Sequence, residues 1–166
     1  MITTLITKNF IEFARKEFRL DWYGIHGASH WSRVRLNGLI LAEHTGANTK
    51  VIEYFAFIHD LGRYNDDYDP EHGQRAAVIA EKIAGDLIDV TEGELKLLTE
   101  ACHGHSDGHL IADVTVMTCW DADRLDLGRV GILPNPERLC NQHSRKVDVI
   151  SEAYERSFHR EVDTEF

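Results

Sequence analysis

Apolar positions recur along this chain with a helical period, and polar breaks separate the runs. Leu5, Ile6, Phe10, Phe13, Ala14 and Phe18 form one stripe, which predicts an amphipathic helix over residues 3–19. "DWYGIHGAS" follows as loop, with Gly24 and Gly27 as breakers. A second helix begins at Ala28 or Ser29, runs through Val34, Leu36, Leu39, Ile40 and Leu41, and ends before Gly46. Asn48 or Thr49 caps a third, whose run "VIEYFAFIH" is apolar on most sides and reads as buried until Gly62 stops it. "GRYNDDYD" is polar loop. Asp69, Pro70 and Glu71 then supply a cap, a first-turn proline and an acid near the positive end of a helix carrying Ala76, Ala77, Ile79, Ala80 and Ile83. Thr91 and Glu94 form a capping box for "EGELKLLTEACH", and "GHSDGHLIAD" returns to loop. "VTVMTCWDADRLDLGRV" opens on β-branched residues but keeps helical spacing through Trp120, Leu125 and Leu127, so it predicts mainly helix. "LPNPERLC" predicts a turn with a short helix, and residues 145–160 a last amphipathic helix. No two long alternating strands occur. The expected fold class is all-α, a helical bundle, with residues 1–166 forming one domain.

Hydrophobic residues make up 43% of the chain, enough for a core, and the 28% that are charged are spread rather than blocked. A formal net charge of −10 disfavours nucleic acid polymers as partners. Small phosphates stay open, because a bound cation reverses the local field. Cys102, Cys119 and Cys140 are odd in number and form no CxxC pair, so buried reduced thiols and a cytoplasmic location are expected. Lys8, Glu12, Arg15 and Lys16 interrupt the opening segment, which predicts neither a signal peptide nor a membrane span.

Ten histidines change this picture. Any single one is most simply a surface or capped core residue, but several are grouped: His26 with His30, His59 beside Asp60, His103 with His105. His59 and Asp60 close an apolar helix, where adjacent residues point about 100° apart and can flank one cavity between helices. A buried unpaired carboxylate is costly, and a cation removes the cost. His30 in "HWSRV", and Asp121 and Asp123 in "CWDADRLD", place further ligand-type residues on two other helices, the arrangement by which bundles build metal sites.

The order H…HD…D, carried by "HWSRV", "FIHDLGR" and "CWDADRLDLGRVGI" within about residues 26–133, resembles the HD-domain superfamily of metal-dependent phosphohydrolases. The helices over 3–19 and 145–160 flank that core. The resemblance implies a helical bundle and a metal site in which His30, of H-x-x-R-V, is the first ligand. His59 and Asp60 are the doublet, and Asp123, of A-D-x-L, is the last ligand; Asp121 fits less well and is kept as an outer partner. His26 is placed in a loop near the site. "DPEHGQRAA" and "CHGHSDG" are more loosely similar to the H…HH segments of binuclear members, which makes His72, His103 and His105 candidates for a second ion. Gly104 splits that pair, the interval from His59 to His72 is short, and no "GYP" follows, so cyclic-dinucleotide hydrolysis is not expected. "CHGHS" is also similar to the "HS" segment of mononuclear members, which singles out His105. Histidines that line the pocket without binding metal are an equal alternative.

A set of imidazoles and carboxylates suits Mn, Fe, Co, Ni or Zn better than Mg. The expected reaction is hydrolysis of a small phosphate ester, a nucleotide for preference, by metal-bound hydroxide. Asp60 carries the reaction as a ligand, Arg63 and Arg124 are candidate phosphate clamps, and His72 or His105 a candidate acid for the leaving oxygen. Trp31, Tyr64 and Tyr68 are candidates for stacking on a base. Two alternatives stay open. One is a di-iron HD-domain oxygenase, which would use the surplus histidines. The other is a non-catalytic, metal-stabilised domain that senses a nucleotide. The first and last helices either close the bundle or pack into a homodimer.

Overall fold

The computed structural model describes residues 5–159. Among the described residues the protein is all-α, with seven helices, two 3₁₀ turns and no strand. The helices are α1 (Lys8–Glu17), α2 (Ala28–Thr45), α3 (Thr49–Ile58), α4 (His72–Ile83), α5 (Glu92–Gly104), α6 (Val114–Arg124) and α7 (Val147–Ser157). The 3₁₀ turns are Leu127–Val130 and Pro136–Arg138. None of these helices is long and apolar enough to cross a membrane.

Local chemistry sets the boundaries. Thr7 caps α1 by accepting from the Phe10 N–H, so Leu5 and Ile6 lie before the helix rather than in it; residues 3 and 4 fall outside the described residues. Asn48 caps α3 through its side-chain oxygen, and Gly46 ends α2 with φ +72°. The Thr91–Glu94 capping box is present at α5, and the Thr91 N–H draws the Glu94 carboxyl down to about 2. The start of α4 differs from expectation. Asp69 does not cap it: its carboxylate pairs with Arg75 and accepts from the Tyr64 N–H at 2.8 Å, which leaves Pro70 and Glu71 in a turn ahead of the helix. α6 stops at Arg124, and a separate 3₁₀ turn covers Leu127–Val130, ended by Gly131 at φ +78°. The last helix spans Val147–Ser157; residue 160 falls outside the described residues.

α3 is the centre of the bundle. Val51, Ile52, Tyr54, Phe55, Phe57 and Ile58 are buried on all its sides, against α2, α5 and α6. α2 packs on α6, and α4 packs on α5. Two glycines mark close approaches that bring the candidate residues together. A Cβ on Gly38 of α2 would fall 2.4 Å from Ile52 of α3 and 3.4 Å from Ala122 of α6. A Cβ on Gly73 of α4 would fall 2.5 Å from the carbonyl oxygen of Cys102 in α5. The main core also holds an edge-packed aromatic cluster of Phe18, Trp22, Trp31 and Phe57. Trp31 is fully buried in it, so its helical spacing reflects core packing and not a surface for a base. A smaller cluster of Leu41, Leu125, Leu139, Ile150 and Ala153 fastens α7 and the Pro136–Arg138 segment to the bundle.

Candidate metal centre

The candidate residues come from helix ends. His30 lies in the first turn of α2, His59 and Asp60 in the turn that closes α3, and Asp123 in the last turn of α6. His72 opens α4 and His105 follows α5. His30 Nε2 lies 3.1 Å from His59 Nε2, 3.6 Å from Asp60 Oδ2 and 3.3 Å from Asp123 Oδ1. His59 Nε2 lies 3.5 Å from Asp60 Oδ2 and 3.8 Å from Asp123 Oδ1. Donor atoms 3.1–3.8 Å apart could share one transition-metal ion, whose ligands of this kind lie at about 2.1 Å. A second group adjoins the first. His72 Nε2 and His105 Nε2 are 2.8 Å apart and lie 3.5 and 3.7 Å from Asp60 Oδ1. Asp60 is therefore shared: one carboxylate oxygen faces each histidine pair.

Hydrogen bonding on the far side of each ring fixes its protonation. His30 Nδ1 meets Asp126 Oδ2 at 2.7 Å, and His59 Nδ1 meets the Phe55 and Ala56 carbonyls at 3.1 Å. His72 Nδ1 meets the Asp69 carbonyl, and His105 Nδ1 the Cys102 carbonyl at 2.7 Å. These oxygens only accept, so each Nδ1 carries the hydrogen and each Nε2 presents a lone pair. Two lone pairs 3.1 Å apart, beside two carboxylates, repel one another, and a shared cation removes the repulsion. Burial holds His59 down to about 3, so its Nε2 keeps a bare lone pair facing His30. The donor set could hold a metal ion. In the second group burial and His105 lower His72. Burial also opposes a charge on His105, but the nearby Asp60 and Asp123 carboxylates and the Cys102 carbonyl together outweigh it and raise His105. A protonated His105 or a second ion therefore satisfies that group equally well. Burial pushes the Asp60 and Asp123 carboxyls up, but the surrounding imidazoles and arginines prevail and hold both well below the usual carboxylate range.

Asp126 and Arg33 escape a reading of the sequence and support the site from behind. Asp126 is fully buried, accepts from His30 Nδ1, and takes a fork of two hydrogen bonds from Arg33, Nε at 2.7 Å and Nη2 at 3.1 Å. The signal was a matched spacing: Arg33 follows His30 by three on one face of α2, and Asp126 follows Asp123 by three in the turn that ends α6.

Other candidates are placed differently. His103 is exposed on α5 and takes no part in either group. His103 and His105 lie about 200° apart around a helix, so only one of them faces the interior. Asp121 faces away from the cluster. Both its oxygens accept from the 140–141 segment, from the Cys140 and Asn141 N–H groups and the Asn141 amide. His26 is a near neighbour, hydrogen-bonded to Asp66 at 2.9 Å. Tyr64 lies between the Arg19 and Arg75 guanidinium groups and lines a different cavity, and Tyr68 is 86% exposed.

Above the two groups opens a pocket of about 390 Å³. Asp60, His72, His105 and Asp123 form its base, and Arg63, Arg124, Arg129 and Arg138 its wall. Arg63 donates to Asp60 Oδ1 at 2.9 Å and to the Asn65 and Asp67 carbonyls, so its main contact is the ligand itself and not Asp66 or Asp67 side chains. Arg124 donates to the Arg138 and His109 carbonyls. On a chain of net charge −10, four arginines in one cavity make a local positive field of the kind that draws small anions. No family model matches the chain, and no curated protein or solved structure matches it. The likeness to HD-domain proteins thus rests on these residues and their order.

Proposed function

We propose that the protein is a metal-dependent hydrolase of small phosphate esters, of the HD-domain type. One observation carries the reading: bare imidazole nitrogens converge on a shared buried aspartate at the base of an arginine-walled pocket. His30, His59, Asp60 and Asp123 would hold one ion, and Asp60, His72 and His105 a second. The nitrogen-rich donor set favours Mn, Fe, Co, Ni or Zn over Mg. When bound, such an ion acidifies water and polarises a phosphoryl oxygen.

The chain's own residues supply the remainder. Arg124 and Arg129 stand on the wall next to Asp123 and offer N–H groups to phosphoryl oxygens, neutralising charge as the ester bond breaks. Arg63 fixes the orientation of Asp60. His105, where it is not a ligand, keeps a proton on the side of Asp60 and can pass it to the leaving oxygen. The shared Asp60 alone also suits a di-iron oxygenase, but four arginines favour a phosphate ester over a neutral substrate.

The test is a panel of phosphate mono- and diesters offered to protein reconstituted with Mn²⁺, Co²⁺ or Zn²⁺. Phosphate release that stops on chelation is expected. Tight ester binding without turnover, or oxygen consumption by the iron form without phosphate release, would overturn the assignment.

A further inference from the structure

The wall of the pocket is uneven. Near its base Arg63 and Arg129 are tied to Asp60 and to the Asp126 carbonyl. At the other side Arg138 is exposed, and its guanidinium makes no hydrogen bond or ion pair with any described residue. Its backbone, by contrast, is firmly held. Asn135 caps the 3₁₀ turn Pro136–Arg138, the Arg138 carbonyl accepts from Arg124 at 2.9 Å, and Leu139 is buried in the smaller core. Asp121 clamps the next two residues by three hydrogen bonds, at 2.6, 2.9 and 2.9 Å. A buried carboxylate and a buried leucine thus fix a segment whose one outward cation overhangs the metal-site pocket. Ser106 and Gly108 line the same side and leave it open.

The pocket also lacks a surface for a base. Among the described residues no phenylalanine, tyrosine or tryptophan lines it, and Leu127 is its one large apolar residue. Stacking and apolar contact are the usual means of holding a base, so this cavity is poorly suited to one. Its volume of about 390 Å³ nonetheless has room beyond a single phosphoryl group.

We infer that Arg138 forms a second anion subsite, and that the substrate is a small aliphatic phosphate ester bearing a further carboxylate or phosphate, rather than a nucleoside monophosphate. Resting on the proposed phosphate-ester hydrolysis, the inference adds what is read at the far end of the substrate. The scissile phosphoryl group sits over Asp60 and Asp123, and the second anion meets the free fork of Arg138.

Non-hydrolysable phosphonates test this by calorimetric titration into Zn²⁺-loaded protein. Two matched pairs are used: propylphosphonate with phosphonopropionate, and hexylphosphonate with phosphonohexanoate. In at least one pair the carboxylate-bearing member is expected to bind about tenfold more tightly to the wild type, the scale of one charge-assisted fork. Arg138→Gln, a change at an exposed side chain, should reduce that preference to within about twofold, while the alkylphosphonate affinity falls by no more than about twofold. Equal binding of both members of each pair to the wild type would overturn the subsite, and so would a preference that survives in Arg138→Gln. A parallel loss for both members would reduce Arg138 to general attraction and overturn it as well. Failure of every phosphonate to bind would instead bring down the phosphate-ester reading, and the subsite with it.

Discussion

Asp60→Ala is expected to remove metal from both groups at once and to lower phosphate-ester hydrolysis by at least about a thousandfold, with the helical circular dichroism signal largely kept. Asp60 faces all four of these histidines, Oδ2 toward His30 and His59 and Oδ1 toward His72 and His105. Its loss therefore differs in kind from that of a single histidine. His72→Ala should cost only the second ion, and His30→Ala the first. The fold should tolerate Asp60→Ala because the residue lies in the turn after α3, and its neighbours Ile58 and Leu61 remain buried. Removing a charged group from this site also relieves part of its own desolvation cost. Elemental analysis of the three variants separates the cases. Full metal occupancy in Asp60→Ala would contradict the geometry outright.

Asp126→Ala should produce the second large effect, and chiefly on stability. The substitution leaves the Arg33 guanidinium buried without its carboxylate, and breaking a buried pair in this way costs about 3–5 kcal/mol. For a chain of this length that is a fall in Tm of about 10 °C. The variant also releases His30 Nδ1, which should weaken metal binding by about 10–100-fold, since ring orientation and tautomer are no longer fixed. The two consequences are separable. Arg33→Met combined with Asp126→Leu replaces the ion pair by apolar side chains and should recover most of the Tm, but not the metal affinity. Recovery of both would mean that Asp126 serves packing alone.

Much of the centre was legible because its residues fall in short motifs at helix ends. The apolar run into His59 and Asp60 announces a buried helix terminus, and His30 and Asp123 lie in comparable surroundings on α2 and α6. The all-α class followed from the 3.6-residue period and from caps such as Thr91 with Glu94. Where the reading failed, tertiary contacts outweighed local preference. Asp69 is a good helix cap by type, but Arg75 and the Tyr64 N–H take its carboxylate. α5 runs one residue past its expected end at His103, and His105, in helical conformation at its C-cap, turns inward while His103 is exposed. Asp121, kept as an outer partner of the site, instead satisfies backbone N–H groups of a segment nineteen and twenty residues away. Arg138 carries no local pattern at all. Its place on the pocket follows from how the Pro136–Arg138 turn is fastened, which the linear sequence does not express.

The most direct test of the metal centre is elemental analysis of wild-type protein, purified without chelator or a histidine tag. One or two ions of Mn, Fe, Co, Ni or Zn per chain are expected, because the lone pairs of His30 and His59 converge beside Asp60 and Asp123. A chain free of metal, and still free after incubation with Mn²⁺, Co²⁺ or Zn²⁺, would contradict the account.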